Sequence, residues 1–209
     1  MTAVAVVDYG MGNLRSVAKA IEHVAPGAQV LVTADPAVVN QADRVVVPGQ
    51  GAMPDCMREL DARGLRAAVI QAARGKPFLG ICIGLQMLFG HSDEGDVPGL
   101  GILPGQVRRF ARDRVDATGL KVPHMGWNEV TQVVAHPLWQ GIADNARFYF
   151  VHSYCVEPAA SSDIAGTTRY GVPFTSAVAR ANIFAVQFHP EKSAQAGLQL
   201  LANFMDWKP

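Results

Sequence analysis

The chain has 209 residues, with 18 Lys and Arg against 18 Asp and Glu, so it carries no net charge at neutral pH. That balance leaves no field to hold nucleic-acid phosphates or an anionic membrane surface, and the length suits one well-buried unit, 1–209, rather than two. Cys56, Cys82 and Cys155 are odd in number and widely spaced, which argues against a disulfide framework or a CxxC metal site and leaves at least one thiol free.

Met1 and Thr2 lead into Ala3 to Val7 without a basic n-region or a long apolar stretch, so this start reads as a first strand rather than a signal peptide. Asn13 to Ala25 follows as a helix, with Leu14, Val17, Ala18, Ile21 and Ala25 on one stripe and Asn13 suited to its N-cap. The intervening Gly10-Met11-Gly12-Asn13-Leu14-Arg15 resembles a dinucleotide fingerprint only superficially, because Arg15 stands where a third glycine must let helix and strand approach. NAD binding is therefore not expected, and no other cofactor is expected either. Gln29 to Thr33 and Arg44 to Val47 are further strands, and this alternation predicts an α/β fold with a doubly wound, mainly parallel sheet. Val47-Pro48-Gly49-Gln50-Gly51-Ala52 is a glycine-bracketed turn after a strand, where a peptide can flip and backbone N–H groups can approach a ligand. Taken alone it reads equally well as an ordinary βα turn.

Leu65, Ala68, Val69, Ala72 and Ala73 repeat the helical stripe until Gly75 and Pro77 stop it, and Phe78 to Ile81 start a strand. The most apolar segment, Pro77 to Phe89, falls short of the ~20 residues a membrane helix needs, so a soluble, cytoplasmic protein is expected. Asp93 to Gly105, rich in Gly and Pro, reads as a loop. The second half is β-rich: Arg147 to Val156, Ile164 to Thr168, Phe174 to Arg180 and Ile183 to Phe188, some of them antiparallel. Ser193 is expected to cap a last helix with Leu198, Leu201, Ala202 and Met205 on one face.

Chemistry concentrates at Phe78-Leu79-Gly80-Ile81-Cys82-Ile83-Gly84-Leu85-Gln86, a strand, a Gly-x-Cys-x-Gly and a helix. A nucleophile on a sharp strand-to-helix turn needs small neighbours two residues either side, and Gly80 and Gly84 supply them. That position gives the sulfur the helix N-terminus and offers the Ile83 N–H to a developing oxyanion. Cys82 alone could equally be an inert buried thiol. Gln187-Phe188-His189-Pro190-Glu191 tips the balance: in an extended segment His189 and Glu191 share a face, a base beside its orienter. A thiolate, an imidazole and a carboxylate are what acyl transfer from an amide requires. Gln86, one helical turn on, should point its amide into the same pocket. The six histidines include no HExxH or other close ligand pair, so no metal is expected. Ser153 beside His152 lacks the flanking glycines of a serine nucleophile.

With these residues in view, the chain resembles the class I (triad) glutamine amidotransferases over essentially its whole length, and among them the glutaminase subunits of imidazole glycerol phosphate synthase. Asp8-Tyr9-Gly10-Met11-Gly12-Asn13-Leu14, Pro123-His124-Met125-Gly126-Trp127-Asn128 and Tyr149-Phe150-Val151-His152-Ser153-Tyr154 carry the narrower likeness. The resemblance implies a flavodoxin-like fold with helices on both faces and an added antiparallel region. It implies Cys82 as nucleophile, His189 as general base and acid, Glu191 as orienter, and an oxyanion hole from the Ile83 and Gln50 N–H groups, the latter after a peptide flip at Gly49 to Gly51. Gln86, Glu94, Ser153 and Tyr154 would hold L-glutamine. A (β/α)8-barrel cyclase subunit would be the heterodimeric partner, facing Asn13, Trp127 and Lys192, and would use the ammonia in histidine biosynthesis. Where this chain has Gln50 the family often has a small aliphatic residue, which leaves the backbone donor intact. The competing functions are a glutaminase for another synthase, such as the pyridoxal phosphate one, and a catalytically silent regulatory module.

Overall fold

The computed structural model describes residues 1–110 and 119–209. Its spine is five parallel strands in the order β2 (Gln29–Thr33), β1 (Ala3–Val7), β3 (Arg44–Gly49), β4 (Phe78–Cys82) and β13 (Ile183–Val186). Every residue of β3, β4 and β13 is buried, as strands covered on both faces must be, which is why these segments read as continuous apolar runs. Right-handed crossovers put α1 (Leu14–Val24) and α2 (Pro36–Gln41) on opposite faces, since the chain moves outward from β1 to β2 and then back to β3. The last helix, α6 (Ala194–Asp206), packs on α1, and α4 (Arg66–Gly75) packs on α2. Arg44 closes the C-terminal end of α6 by donating to the Phe204 and Trp207 carbonyls at 3.1 and 2.6 Å.

Beyond β13 the sheet turns antiparallel through β12 (Val172–Arg180), β10 (Tyr154–Pro158) and β7 (Gly105–Arg109), ending on the short β5 (His91–Ser92) and β6 (Val97–Pro98). A branch from β12 runs through β11 (Ile164–Tyr170) and β8 (His124–Gln132) to β9 (Ala146–His152). Among the described residues no helix is long and apolar enough to cross a membrane.

Several expectations change in detail. The run Arg147 to Val156 breaks at Ser153 into β9 and β10, and the loop 93–105 contains the two residues of β6. Two helices escaped the sequence reading: α2, only six residues long, and α3 (Met53–Ala62). Asp35, whose carboxylate accepts from the Ala37 N–H at 2.8 Å ahead of Pro36, was the available signal for α2, and Met53, Cys56, Met57 and Leu60 form the buried stripe of α3. Asn13 and Ser193 occupy N-cap positions but neither side chain makes the capping bond. Gly197, Leu200, Leu201, Phe204 and Met205 form the buried face of α6, because it meets the 3-10 turns Pro137–Trp139 and Pro190–Lys192 and α1 as well as β9; Leu198 and Ala202 lie at its margin. Trp127 sits on strand β8.

Candidate active site

Cys82 ends β4 and precedes a single helical turn, α5 (Ile83–Gln86), with φ 56° and ψ −106°. A non-glycine residue held there costs about 1–3 kcal/mol and persists only where its neighbours dictate it. Two of those neighbours are glycines with no spare room. A Cβ on Gly84 would overlap the Val47 carbonyl oxygen, and one on Gly80 would lie 2.7 Å from the Gly84 oxygen. The resulting elbow leaves the Cys82 sulfur 4.0 Å from the Val151 carbonyl and 3.6 Å from Gln187 Nε2.

His189 follows β13 in an extended conformation and is tied to β9 by its backbone N–H, which donates to the Tyr149 carbonyl at 2.9 Å. Its Nδ1 lies 2.9 Å from Glu191 Oε1, and since a carboxylate only accepts, Nδ1 carries the proton and Nε2 is turned to other work. Both side chains are nearly inaccessible. Glu191 was expected on the same extended run, but Pro190–Lys192 coils into a 3-10 turn, and the carboxylate meets the ring by folding back. Ser193 braces the turn, its hydroxyl donating to the His189 carbonyl at 2.6 Å and accepting from the Tyr149 N–H at 3.0 Å. Burial works against a charged His189, but the neighbouring Cys82 and Glu191 outweigh it and raise its pKa to about 9. An imidazolium beside a sulfur stabilises negative charge on it. His189 Nε2 makes no hydrogen bond of its own, so the ring is available to a group entering beside the sulfur.

A pocket of about 300 Å³ opens onto Cys82 and His189 and is walled by Gln50, Gly51, Ile83, Gln86, Glu94, Ser153 and Tyr154, with Pro123, Val151 and His152. All the expected substrate-side positions thus line it except Gly49, which is buried. Gln86 donates through Nε2 to the Tyr154 carbonyl at 3.3 Å and to Gln187 Oε1 at 3.0 Å, while its own Oε1 is buried with no partner. Glu94 accepts from the Met53 N–H at 2.8 Å, which also steadies the start of α3; desolvation raises its pKa, opposed by that hydrogen bond.

Four contributors went unassigned in the sequence. Gln187 joins the sulfur to Gln86, and its spacing of two from His189 on an extended strand was the available clue. Tyr9 donates to the Pro48 carbonyl at 2.7 Å and the Cys56 thiol to the Gln50 carbonyl at 3.5 Å, so the two carbonyls flanking the Gly49–Gln50 peptide are pinned from beneath. His124, behind the pocket, contacts His152. No local pattern announces these long-range contacts. Cys56 and Cys155 are unpaired thiols whose pKa values burial pushes to about 11 and 12, which leaves both inert near neutrality.

Of the expected partner-facing residues, Trp127 is 45% exposed and stands edge-on to Tyr149 with ring centroids 6.3 Å apart. Lys192 Nζ lies 6.0 Å over the same Tyr149 ring, so Trp127 and Lys192 share one patch. Asn13 is half-buried at the start of α1, which packs beside the 190–192 turn.

A strained thiol at a strand-to-helix elbow thus faces an imidazole–carboxylate pair at the rim of the mainly parallel sheet. The chain belongs to the class I glutamine amidotransferase family, whose description "Glutamine amidotransferase class-I" matches residues 5–207. It is 71% identical over 212 residues to the imidazole glycerol phosphate synthase subunit HisH of Aromatoleum aromaticum, covering 100% of both chains. It is 70% identical to the HisH subunit of Dechloromonas aromatica, covering 99% of this chain and 97% of that one. Among solved structures, that of PurLQS from Thermotoga maritima shares the fold at a TM-score of 0.74 and 18% identity, over 98% of each chain.

The histidines make stability depend on pH in two directions. Burial lowers His124 and His136 to about 4 and His152 to about 3, from an ordinary 6.5. The unfolded chain therefore binds more protons below pH 6.5, and stability should fall as pH drops from there towards 4. His189, raised to about 9, contributes stability that is complete below 6.5 and lost as pH rises through 9. Melting temperature against pH should peak close to neutrality and decline on both sides; a profile flat from pH 5 to 9.5 would contradict the assignment.

Proposed function

We propose that the protein hydrolyses L-glutamine to glutamate and ammonia, and delivers the ammonia to a (β/α)8-barrel cyclase subunit of imidazole glycerol phosphate synthase, in the cytoplasm. The observation that carries this reading is the strained Cys82 thiol set against the His189–Glu191 pair. Cys82 Sγ attacks the carboxamide carbon, and His189 passes the thiol proton to the departing nitrogen, which leaves as ammonia. Water, deprotonated by His189, then opens the glutamyl thioester. Glu191 holds the imidazole tautomer, and the Ile83 and Gln50 backbone N–H groups receive the oxyanion. Gln86, Glu94, Ser153 and Tyr154 hold the substrate, with the unpartnered Gln86 Oε1 ready to accept from it. The patch of Trp127 and Lys192, with Asn13, faces the barrel. The HisH relatives support this partner over that of another synthase, and a silent module would have no use for a complete triad.

The test is glutamate release by the chain alone and mixed with the cyclase subunit carrying its nucleotide ligand, followed by a glutamine-analogue alkylating agent. Release should rise at least about tenfold with the loaded cyclase, a coupling well within the usual allosteric range, and the label should sit on Cys82. Equal rates with and without the cyclase would contradict the partner-gated reading, and a label on Cys56 or Cys155 would contradict the site.

A further inference from the structure

We propose that His124 and His152 are positioning residues, a hydrogen-bonded relay that ties the outward face of β8 to the wall of the glutamine pocket. The inference rests on the function proposed above and adds a route by which a partner's presence reaches the site.

The direction of the relay follows from its last acceptor. The Tyr154 carbonyl lies 2.8 Å from His152 Nδ1 and can only accept, so Nδ1 is protonated. Both rings are buried, at 2% and 6% exposure, with pKa values far below neutrality, so each carries one proton. His152 Nε2 is then a bare lone pair, and His124 Nδ1, 3.0 Å away, must donate to it. That leaves His124 Nε2 as an acceptor, met by Asn128 Nδ2 at 3.3 Å, whose amide also reaches the Arg169 carbonyl at 3.0 Å. Asn128, His124, His152 and Tyr154 thus form a one-way chain with a single tautomer at each ring. Its end is the same Tyr154 carbonyl that accepts from Gln86, one residue removed from the Cys82 sulfur through Gln187.

The other end lies on β8. Side chains alternate along a strand, so His124 and Asn128 point inward while Met125 and Trp127, 63% and 45% exposed, point out. His124 also pairs directly with His152 across β8 and β9. Its ring is stacked between Phe150 and Tyr170, at centroid distances of 4.8 and 4.0 Å, which blocks rotation in place. A partner that presses on Met125 and Trp127 and shifts β8 therefore carries the His124 ring with it, and with the ring the carbonyl that positions Gln86.

Nitrogen NMR of the uniformly labelled chain at neutral pH tests the geometry directly. Both rings should show a protonated Nδ1 and a bare Nε2; an imidazolium, or the opposite tautomer at either ring, would overturn the relay. His124→Phe keeps the stacked ring and removes both nitrogens. In the complex with the cyclase it should raise KM for glutamine about tenfold, the scale expected of small misplacements, with complex assembly and ammonium-supported turnover intact. Asn128→Ala should move KM the same way by less, and supplies this readout should His124→Phe not fold. Wild-type KM in the folded variants would defeat the proposal. A wild-type complex with no glutamine-dependent turnover would instead defeat the functional reading, while the nitrogen spectra would still judge the relay.

Discussion

Replacing Cys82 by Ala or Ser is expected to lower glutamine-dependent turnover of the assembled complex by about four orders of magnitude or more, while turnover supported by added ammonium salts continues. Loss of a covalent nucleophile is on this scale because the remaining groups have nothing to activate. The surviving ammonium reaction is the informative half. The pocket sits on this chain, and the step that consumes ammonia is assigned to the partner, so the two activities should separate cleanly. Serine is no rescue: its oxygen is a poorer nucleophile at the same elbow, and the 3.6 Å approach of Gln187 Nε2 is fitted to a sulfur. Loss of both activities in a complex that still assembles would refute this division of labour.

Gly84→Ala should be among the most damaging single-methyl changes in the chain. The added carbon would collide with the Val47 carbonyl, which belongs to a fully buried central strand and cannot swing aside like a side-chain tip. Overpacking of this kind costs about 1–3 kcal/mol where side chains can yield, and here the obstacle is backbone. Destabilisation of about 3 kcal/mol or more is therefore expected in urea titration. Glutamate release should fall about a hundredfold, because the same displacement moves the thiol away from His189. An unchanged unfolding midpoint would mean that the elbow is not packed as described. Gly64→Ala is a useful control for the steric argument, since a methyl there meets nothing within 4 Å and only its φ of +66° opposes the change.

What the sequence disclosed follows from how local each cause is. The Cys82 elbow was legible because its requirements, a strand, two small residues and a helix start, all lie within nine consecutive positions. The pairing of His189 with Glu191 was legible for the same reason, although the conformation that brings them together is a turn rather than a strand. Gln187 was visible in the same segment but has no chemistry until the Cys82 sulfur arrives from 105 residues away. The second half of the sheet was recognisable as β-rich but not as a topology, because antiparallel partners such as β8 and β11 meet through contacts that leave no periodic mark. On α6, Leu201 and Met205 are buried as expected, while Leu198 and Ala202 fall at the margin because three neighbours, rather than one sheet, compete for the helix. Exposure of Trp127 likewise waited for the pairing of β8 with β9.

Tyr9 and Cys56 hold the carbonyls on either side of the Gly49–Gln50 amide. An amide clamped at both shoulders can only turn like a crankshaft between two bearings, its oxygen and its hydrogen exchanging sides while the chain before and after stands still. Turning such a crank would need no travel of the strand and no repacking of the layers beneath it, so the switch proposed for this amide would change what faces the pocket while the shape stays the same.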